Sequence, residues 1–287
     1  MSIPILVIIY NHQFNSNIEL LEKLYAPRFS TIVHLVPFYQ GSKLNVIPVY
    51  ENSYYFQGYV AQAWRDLSAY DCDDFLFIGD DLLLNPIVNE KNYRDCLGVD
   101  DQTSFIPSVF ELHNCRAFWW RCKEAVEWRP NPNGLEVKGM LPTHQEAMSH
   151  YERHQLCPGP LRAFTANPKL LPDEEAGQQL ITLPYPLIAS YSDIFAIPRQ
   201  VMQQFVHYCG VFAAARLFVE LAIPSALAMA SPRLISEAKN KLRGRALWTT
   251  DDLMLLDPFE KSLSQLLDDF PRQYLYLHPI KLSQWRD

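Results

Sequence analysis

The feature that most constrains the fold is an alternation of apolar strands and amphipathic helices over the first 84 residues. Residues 3–10 form a continuous apolar run, which predicts a strand buried on both faces. The pattern continues with a helix over 17–26, strands over 31–37 and 45–50, a helix over 55–69 and a strand over 74–78. Strands that alternate with helices predict an α/β fold with a mostly parallel sheet flanked by helices. Such sheets bind ligands at the carboxyl ends of their strands.

A proline-rich region interrupts this pattern. Residues 130–186 hold nine of the 21 prolines, and each proline removes a backbone donor. We therefore expect long loops there, with one helix over residues 143–155, and loops of this length often shape a site. Three further elements are predicted, namely a helix over 115–128 with Trp119 and Trp120 in its packing, a strand over 187–196, and a helix from Pro198 through Glu220 to Pro224.

Composition removes several classes of function. The net charge of −7 disfavours a nucleic-acid-binding protein. Only 10 glycines are present, and no glycine-rich phosphate loop or nucleophile elbow occurs. The longest apolar stretch, 211–230, contains two charged residues and a proline, so no transmembrane segment is expected. The N-terminus does not resemble a signal peptide, and the six cysteines form no C-x-x-C pair, which predicts a cytoplasmic protein with reduced thiols.

Two adjacent carboxylates stand at the end of the fourth predicted strand. Phe75-Leu-Phe-Ile-Gly leads directly into Asp80 and Asp81. Neighbouring carboxylates repel each other unless a cation or hydrogen-bond donors compensate them. Mg²⁺ and Mn²⁺ prefer carboxylate oxygens, so this pair is a candidate site for a divalent cation that holds a diphosphate. The alternative is a turn or helix cap in which the aspartates accept backbone N–H groups.

Residues 49–84 resemble the nucleotide-binding half of GT-A fold glycosyltransferases, which use nucleotide-diphosphate sugars. Gly58 and residues 61–64 resemble the helix that precedes the family's acidic D-x-D motif, and Gly79-Asp80-Asp81 falls on the motif itself. The resemblance implies that Asp81 binds the metal and that Asp80 lies near the donor sugar or ribose. Gly79 replaces the first acid, which puts one donor contact in doubt. The implied organisation is one GT-A-like domain, with a nucleotide-sugar-binding half over 1–110 and an acceptor-binding half over 111–287.

The C-terminal segment, 274–287, carries a second match to this family. Many GT-A proteins place a C-terminal histidine at the metal, and His278 follows the apolar run 274–277. The resemblance therefore implies that His278 shares a cation with Asp81, and neutral imidazole suits Mn²⁺. Lys281 could meet the diphosphate as a point charge. The alternative is an ordinary terminal strand with a capping histidine.

Three more residues are candidates for contacts with the substrates. The family places an acid facing the acceptor, which acts as general base in inverting members; Glu220 and Asp193 are the two candidates here. Glu220 could instead pair with Arg216 as a structural ion pair. Tyr10 ends the first strand, where the family receives the nucleotide base. It could stack on that base or belong to the core.

The leading hypothesis is a metal-dependent glycosyltransferase that takes a sugar from a nucleotide-diphosphate donor to a glycan or other hydroxyl acceptor. Its implied cofactor is Mn²⁺ or Mg²⁺, and no nucleic-acid partner is expected. A nucleotidyltransferase is one alternative, although residues 11–17 lack the glycine, lysine and arginine that its loop usually shows. The others are a degenerate, non-catalytic GT-A domain that binds ligands, and a zinc protein that uses His150 and His154.

Overall fold

The computed structural model describes residues 3–114, 119–130, 137–162 and 180–286. The strands are β1 (Pro4–Ile9), β2 (Ile32–Pro37), β3 (Val46–Val49), β4 (Asp74–Gly79), β5 (Leu83–Leu84), β6 (Thr103–Ile106), β7 (Leu161–Arg162), β8 (Leu180–Ile181), β9 (Ile194–Pro198), β10 (Arg233–Ser236), β11 (Arg243–Ala246) and β12 (Tyr274–His278). The α-helices are α1 (Ser16–Tyr25), α2 (Gln57–Leu67), α3 (Tyr93–Leu97), α4 (Trp119–Glu127), α5 (His144–Arg153), α6 (Arg199–Ala214), α7 (Val219–Ala230), α8 (Thr250–Leu253) and α9 (Leu263–Asp268).

A seven-stranded sheet forms the centre, in the order β10-β6-β9-β4-β1-β2-β3. Every neighbouring pair is parallel except those made by β9, which is antiparallel to both β4 and β6. The predicted α/β class with a mostly parallel central sheet flanked by helices is confirmed. The strand predicted over 187–196 is instead β9, which begins at Ile194. Because residues 190–193 precede the strand, Asp193 stands at its entry rather than within the sheet.

The central strands are buried on both faces, as their unbroken apolar runs predict. On β4, Phe75 and Phe77 pack into the core layer that also holds the buried faces of α2, α6 and α7. Leu76 and Ile78 point to the opposite layer, which contains the buried residues of α1, β5, α9 and β12. The carboxyl ends of β1 and β4 therefore open between two packed layers, where a ligand can be surrounded by both.

A second, three-stranded sheet brings the C-terminal segment to β4. Its order is β11-β12-β5, with β12 antiparallel to β5. Tyr276 pairs with Leu84 and Leu277 with Leu83, so the register carries His278 towards the turn that links β4 to β5. The Ile280 amide then donates to the carbonyl of Asp81 at 2.6 Å. The short strand β5 thus explains how residues far apart in the sequence become neighbours.

The prediction of one continuous helix from Pro198 to Pro224 is wrong. α6 ends at Ala214, and Arg216 adopts the left-handed region with φ of 57°. Pro224 does not end the second helix but lies inside α7. A proline there cannot donate to the carbonyl four residues earlier, that of Glu220. The Ser190 amide donates to that carbonyl instead, at 3.0 Å, and so fixes the segment before β9 to the helix.

The region of residues 130–186 is described in part. The helix predicted over 143–155 is confirmed as α5, which begins with a capping box between Thr143 and Glu146. Residues 131–136 and 163–179, which the predicted loops include, lie outside the described residues. The side chains of Trp119 and Trp120 also lie outside them. Over the described ranges, every helix is too short or too polar to cross a bilayer.

Candidate active site

Three titratable side chains from distant segments meet at the carboxyl end of β4. His278 Nε2 lies 3.3 Å from Asp81 Oδ1 and 3.4 Å from Asp193 Oδ1. The exposed fractions are 12% for His278, 27% for Asp81 and 22% for Asp193, so the cluster is recessed but open to solvent. Asp81 and His278 thus lie side by side, as expected, and their joint role in a cation site stays a prediction. Asp193, which the sequence offered as a candidate base, lies in the same cluster.

Backbone pairing fixes the two carboxylates. The antiparallel pairing of Ile78 with Ile194 places Gly79, the last residue of β4, opposite Asp193, the residue before β9. The Gly79 amide donates to the Asp193 carbonyl at 2.8 Å. A Cβ at Gly79 would lie 3.1 Å from Asp81 Oδ1, so a larger residue would crowd that carboxylate. Glycine at position 79 therefore leaves room for the Asp81 side chain to fold back towards the strand end.

The cluster concentrates opposite charges in a recessed place. Burial lowers the pKa of His278, but Asp193 and Asp81 outweigh it, and the net shift is upward. Burial, reinforced by the charge of Asp81, raises the pKa of Asp193 against the opposing effect of His278. The two carboxylates therefore favour the protonated form of the imidazole.

Glu220 forms a buried ion pair with Arg121 of α4. The Arg121 side chain is only 3% exposed, and its guanidinium also lies over the Tyr191 ring, 5.1 Å from the centroid. Burial raises the pKa of Glu220 to about 7, with Arg121 opposing the shift. The alternative pairing of Glu220 with Arg216 is wrong, because the turn after α6 directs Arg216 to Glu51 at 2.6 Å. Sequence reasoning missed Arg121, whose signal was an arginine between apolar residues of a predicted helix.

Asp80 and Tyr10, which were predicted to contact the nucleotide-sugar donor, point into the protein instead. Asp80 is 6% exposed, and its oxygens accept from the Asn11 amide at 3.1 Å and from Asn17 Nδ2 at 3.4 Å. Asp80 therefore holds the loop after β1 by accepting hydrogen bonds, as the cap alternative predicted. The expected contact of Asp80 with the sugar donor is not supported by this orientation. Tyr10 is fully buried, and its hydroxyl shares a 2.9 Å hydrogen bond with His34 Nδ1. Its ring is part of the core and offers no free face for a nucleotide base, so the stacking expectation is wrong.

The remaining predicted residues lie at the surface or on other elements. Lys281 is exposed three residues beyond His278, just after the strand that enters the cluster. His154 Nε2 lies 2.9 Å from the Ala228 carbonyl, which occupies that nitrogen with a backbone hydrogen bond. His150 contacts Arg153 instead. The zinc alternative thus fails, since the two imidazoles do not converge.

The donor chemistry of the cluster fits a divalent cation that a substrate helps to bind. Within the described ranges no group of three or more His, Cys, Asp or Glu side chains is arranged to hold a metal ion by itself. Mg²⁺-type sites, however, typically use one or two carboxylates and complete their coordination with substrate phosphates and water. Asp81 Oδ1 is buried, and its 3.3 Å contact with His278 Nε2 is not a well-aligned hydrogen bond. A buried carboxylate oxygen without a well-aligned donor is costly, and a cation would relieve that cost. The Asp81 carboxylate thus suits Mn²⁺ or Mg²⁺, and His278 can join it as a ligand only after its imidazole releases its proton.

Comparisons with known proteins return weak similarities of structure. No family model and no curated protein sequence matches the chain. A 2-C-methyl-D-erythritol 4-phosphate cytidylyltransferase from Thermus thermophilus is 12% identical, with a TM-score of 0.38, covering 91% of this chain and 100% of that one. A galactosyltransferase in complex with donor and acceptor sugar analogues is 9% identical, with a TM-score of 0.40, covering 96% and 86%. Mouse xyloside xylosyltransferase 1 is 9% identical, with a TM-score of 0.34, covering 97% of each chain. Similarity at this level does not identify a function.

Proposed function

We propose that this protein is a glycosyltransferase that moves a sugar from a nucleotide-diphosphate donor to an acceptor hydroxyl with the help of a divalent cation. One observation carries the proposal: Asp81, Asp193 and His278 meet where the central strands end, and the Glu220–Arg121 pair interacts electrostatically with that cluster. Carboxylates and an imidazole at this edge suit a bound diphosphate and its cation. Glu220, a partly buried carboxyl paired with Arg121, supplies a proton acceptor.

The donor side of the site falls to Asp81 and His278. These two side chains would hold the cation, and when bound it neutralises charge on the departing diphosphate. Asp193 orients the His278 imidazole through its 3.4 Å contact. Lys281, exposed just beyond the cluster, is placed to meet a phosphate as a point charge.

The acceptor side falls to Glu220. Both contacts with Arg121 go to Oε2, so Oε1 makes no hydrogen bond among the described residues, and the side chain is 18% exposed. A pKa near 7 suits a group that must take up a proton at neutral pH. In the proposed step, Glu220 Oε1 takes the acceptor hydroxyl proton, and the acceptor oxygen bonds to the anomeric carbon. The bond from that carbon to the phosphate oxygen breaks, and its electron pair leaves with the diphosphate. Asp193 suits this role less, because His278 already engages its carboxylate.

The nucleotidyltransferase alternative lacks a corresponding feature. Such an enzyme must stabilise a triphosphate, usually with a basic, glycine-rich loop after the first strand. Residues 11–17 contain no glycine, lysine or arginine. In the structure this segment is instead tied down by Asp80 through Asn11 and Asn17.

Thermal denaturation with a panel of nucleotides tests the proposal. The purified protein is melted with ADP, CDP, GDP, UDP and the matching triphosphates, each with Mn²⁺ and with EDTA. We expect at least one diphosphate to raise the melting temperature in Mn²⁺ and not in EDTA, by mass action on the folded state. The corresponding nucleotide sugars are then screened for release of the diphosphate. A preference for triphosphates would favour the nucleotidyltransferase, and no stabilisation by any nucleotide would refute transfer from a nucleotide donor.

A further inference from the structure

A tryptophan stands exposed beside the candidate site. Trp248 is 51% exposed, and its ring meets that of Tyr191 with centroids 4.8 Å apart at an interplanar angle of 64°. Tyr191 in turn packs edge-on against Phe110, with centroids 5.5 Å apart. The three rings form a row that runs from the partly buried Phe110 to the exposed Trp248. Half of the Trp248 side chain therefore remains available to a ligand.

The backbone around Trp248 is firmly held although its ring is exposed. The preceding residue, Leu247, is buried, and its amide donates to the His278 carbonyl at 2.7 Å. The Trp248 amide donates to Asp252 Oδ2 at 3.3 Å, and Arg245 holds Asp252 at 2.6 Å. Trp248 is thus attached to the same strand end that delivers His278 to the cluster. A large aromatic ring fixed in this way loses little conformational entropy when it binds a ligand.

The aromatic row connects directly with the proposed proton acceptor. The Arg121 guanidinium lies over the Tyr191 ring, 5.1 Å from its centroid, and the same guanidinium pairs with Glu220. Asp193 follows Tyr191 by two residues in the segment before β9. A ligand lying against Trp248 and Tyr191 would therefore border the carboxyl that must reach its hydroxyl group.

We propose that Trp248, supported by Tyr191, is the platform that binds a pyranose ring of the acceptor, an inference that rests on the proposed function. Sugars carry C–H groups on their ring faces and hydroxyls around their edges. An aromatic face covers the apolar side of such a ring and leaves the edge hydroxyls free for polar partners. The acceptor is accordingly a glycan or glycoside, and not a small aliphatic alcohol or a protein hydroxyl presented without a sugar.

The test measures sugar binding and donor binding separately. Saturation-transfer NMR on the whole chain uses the methyl glycosides of glucose, galactose, mannose, xylose and N-acetylglucosamine, each with and without UDP and Mn²⁺. The variants are Trp248→Ala, which removes the platform, and Trp248→Phe, which keeps a smaller ring. Leu253→Ala is the matched control, because Leu253 is an exposed apolar residue of the adjoining helix α8. Nucleotide binding is followed by the thermal measurement described above.

We expect at least one glycoside to bind the wild type and the Leu253→Ala variant equally. Trp248→Ala should weaken that affinity about tenfold or more, and Trp248→Phe should restore part of it, while nucleotide binding stays unchanged. Sugar binding that survives Trp248→Ala, or no sugar binding by the wild type, would overturn the platform. Sugar binding through Trp248 without any nucleotide binding would leave the platform in place and refute the transferase.

Discussion

Two histidines of this chain, the fully buried His34 and the partly buried His278, stand in opposite electrostatic environments. His34 on β2 is fully buried, and burial lowers its pKa to about 4. His278 is nearly as enclosed, yet its pKa is raised because Asp193 and Asp81 outweigh the effect of burial. The first imidazole is neutral in the folded protein at pH 7, and the second favours its charged form.

The difference lies in how far other side chains compensate the charge of the neighbouring carboxylates. Glu22 comes within 3.6 Å of His34, but Lys43 and Asn45 already hold that carboxylate at 2.8 and 2.9 Å. The charge of Glu22 is therefore largely compensated before it reaches the imidazole. Around His278, by contrast, the carboxylates of Asp81 and Asp193 both face a single imidazole. The His34 region is closed and satisfied, whereas the His278 region retains unsatisfied negative charge that a ligand with a cation could use.

The largest effect is expected from a substitution of Asp81 in the His278 region. Asp81→Asn replaces a charged ligand oxygen with a neutral one, which should abolish Mn²⁺-dependent binding of the nucleotide diphosphate. The fold should persist, because Asp81 accepts its structural hydrogen bond from Ile280 through the backbone. Calorimetric titration with UDP and Mn²⁺ is the measurement.

The matched control for this experiment is Asp71→Asn, which makes the same change in charge at an exposed position outside the cluster. It should bind as the wild type does. Equal binding by Asp81→Asn would show that Asp81 serves only as a turn residue and would remove the cation from the His278 region.

A second, smaller effect concerns turnover. Glu220→Gln keeps the size of the side chain and an acceptor for Arg121, but the amide cannot take up a proton. We expect a loss of roughly 10²–10⁴-fold in kcat with a small change in melting temperature. Because only the ionised carboxylate can accept a proton, the wild-type rate should rise with pH through about 7, the pKa to which burial raises Glu220. Near-normal turnover in this variant would transfer the role of base to Asp193, tested in parallel as Asp193→Asn.

Much of the central sheet and part of the site could be predicted from the sequence. Strand β4, which leads into Asp80 and Asp81, could be recognised because a strand buried on both faces leaves an unbroken apolar run. The convergence of His278 on Asp81 followed from a family resemblance, since the two-residue strand β5 that causes it is too short to recognise. Arg121 could not be assigned to Glu220, because a pair between two helices leaves no regular spacing. The inward turn of Asp80 depends on Asn11 and Asn17, whose contacts only the folded chain shows.

The third effect is on stability. Arg121→Met removes one partner of the buried pair and leaves Glu220 uncompensated in a recessed place, which should lower the free energy of unfolding by about 3–5 kcal/mol. The double variant Arg121→Met/Glu220→Gln should recover part of this loss, because no ionised carboxyl then remains without its partner. Urea denaturation of the single and double variants gives the coupling energy. Losses that simply add would show that the two side chains do not stabilise each other.

The smallest effect tests the closed region. Since the pKa of His34 is about 4 when folded and 6.5 as its ordinary value, the unfolded chain binds a proton first. The wild type should therefore lose up to about 3 kcal/mol from this group as the pH falls from 6.5 to 4. His34→Leu leaves the Tyr10 hydroxyl without its partner, which should cost about 1–3 kcal/mol at pH 7.5, but removes this acid sensitivity. The free energies of unfolding of the two proteins, measured by urea denaturation, should become similar at pH 4.5.

Tyr10→Phe is the control, because it removes the same hydrogen bond and keeps the titrating ring. An equal acid response in His34→Leu and Tyr10→Phe would mean that His34 is not the group that takes up the proton, and binding of UDP and Mn²⁺ should be unaffected in both.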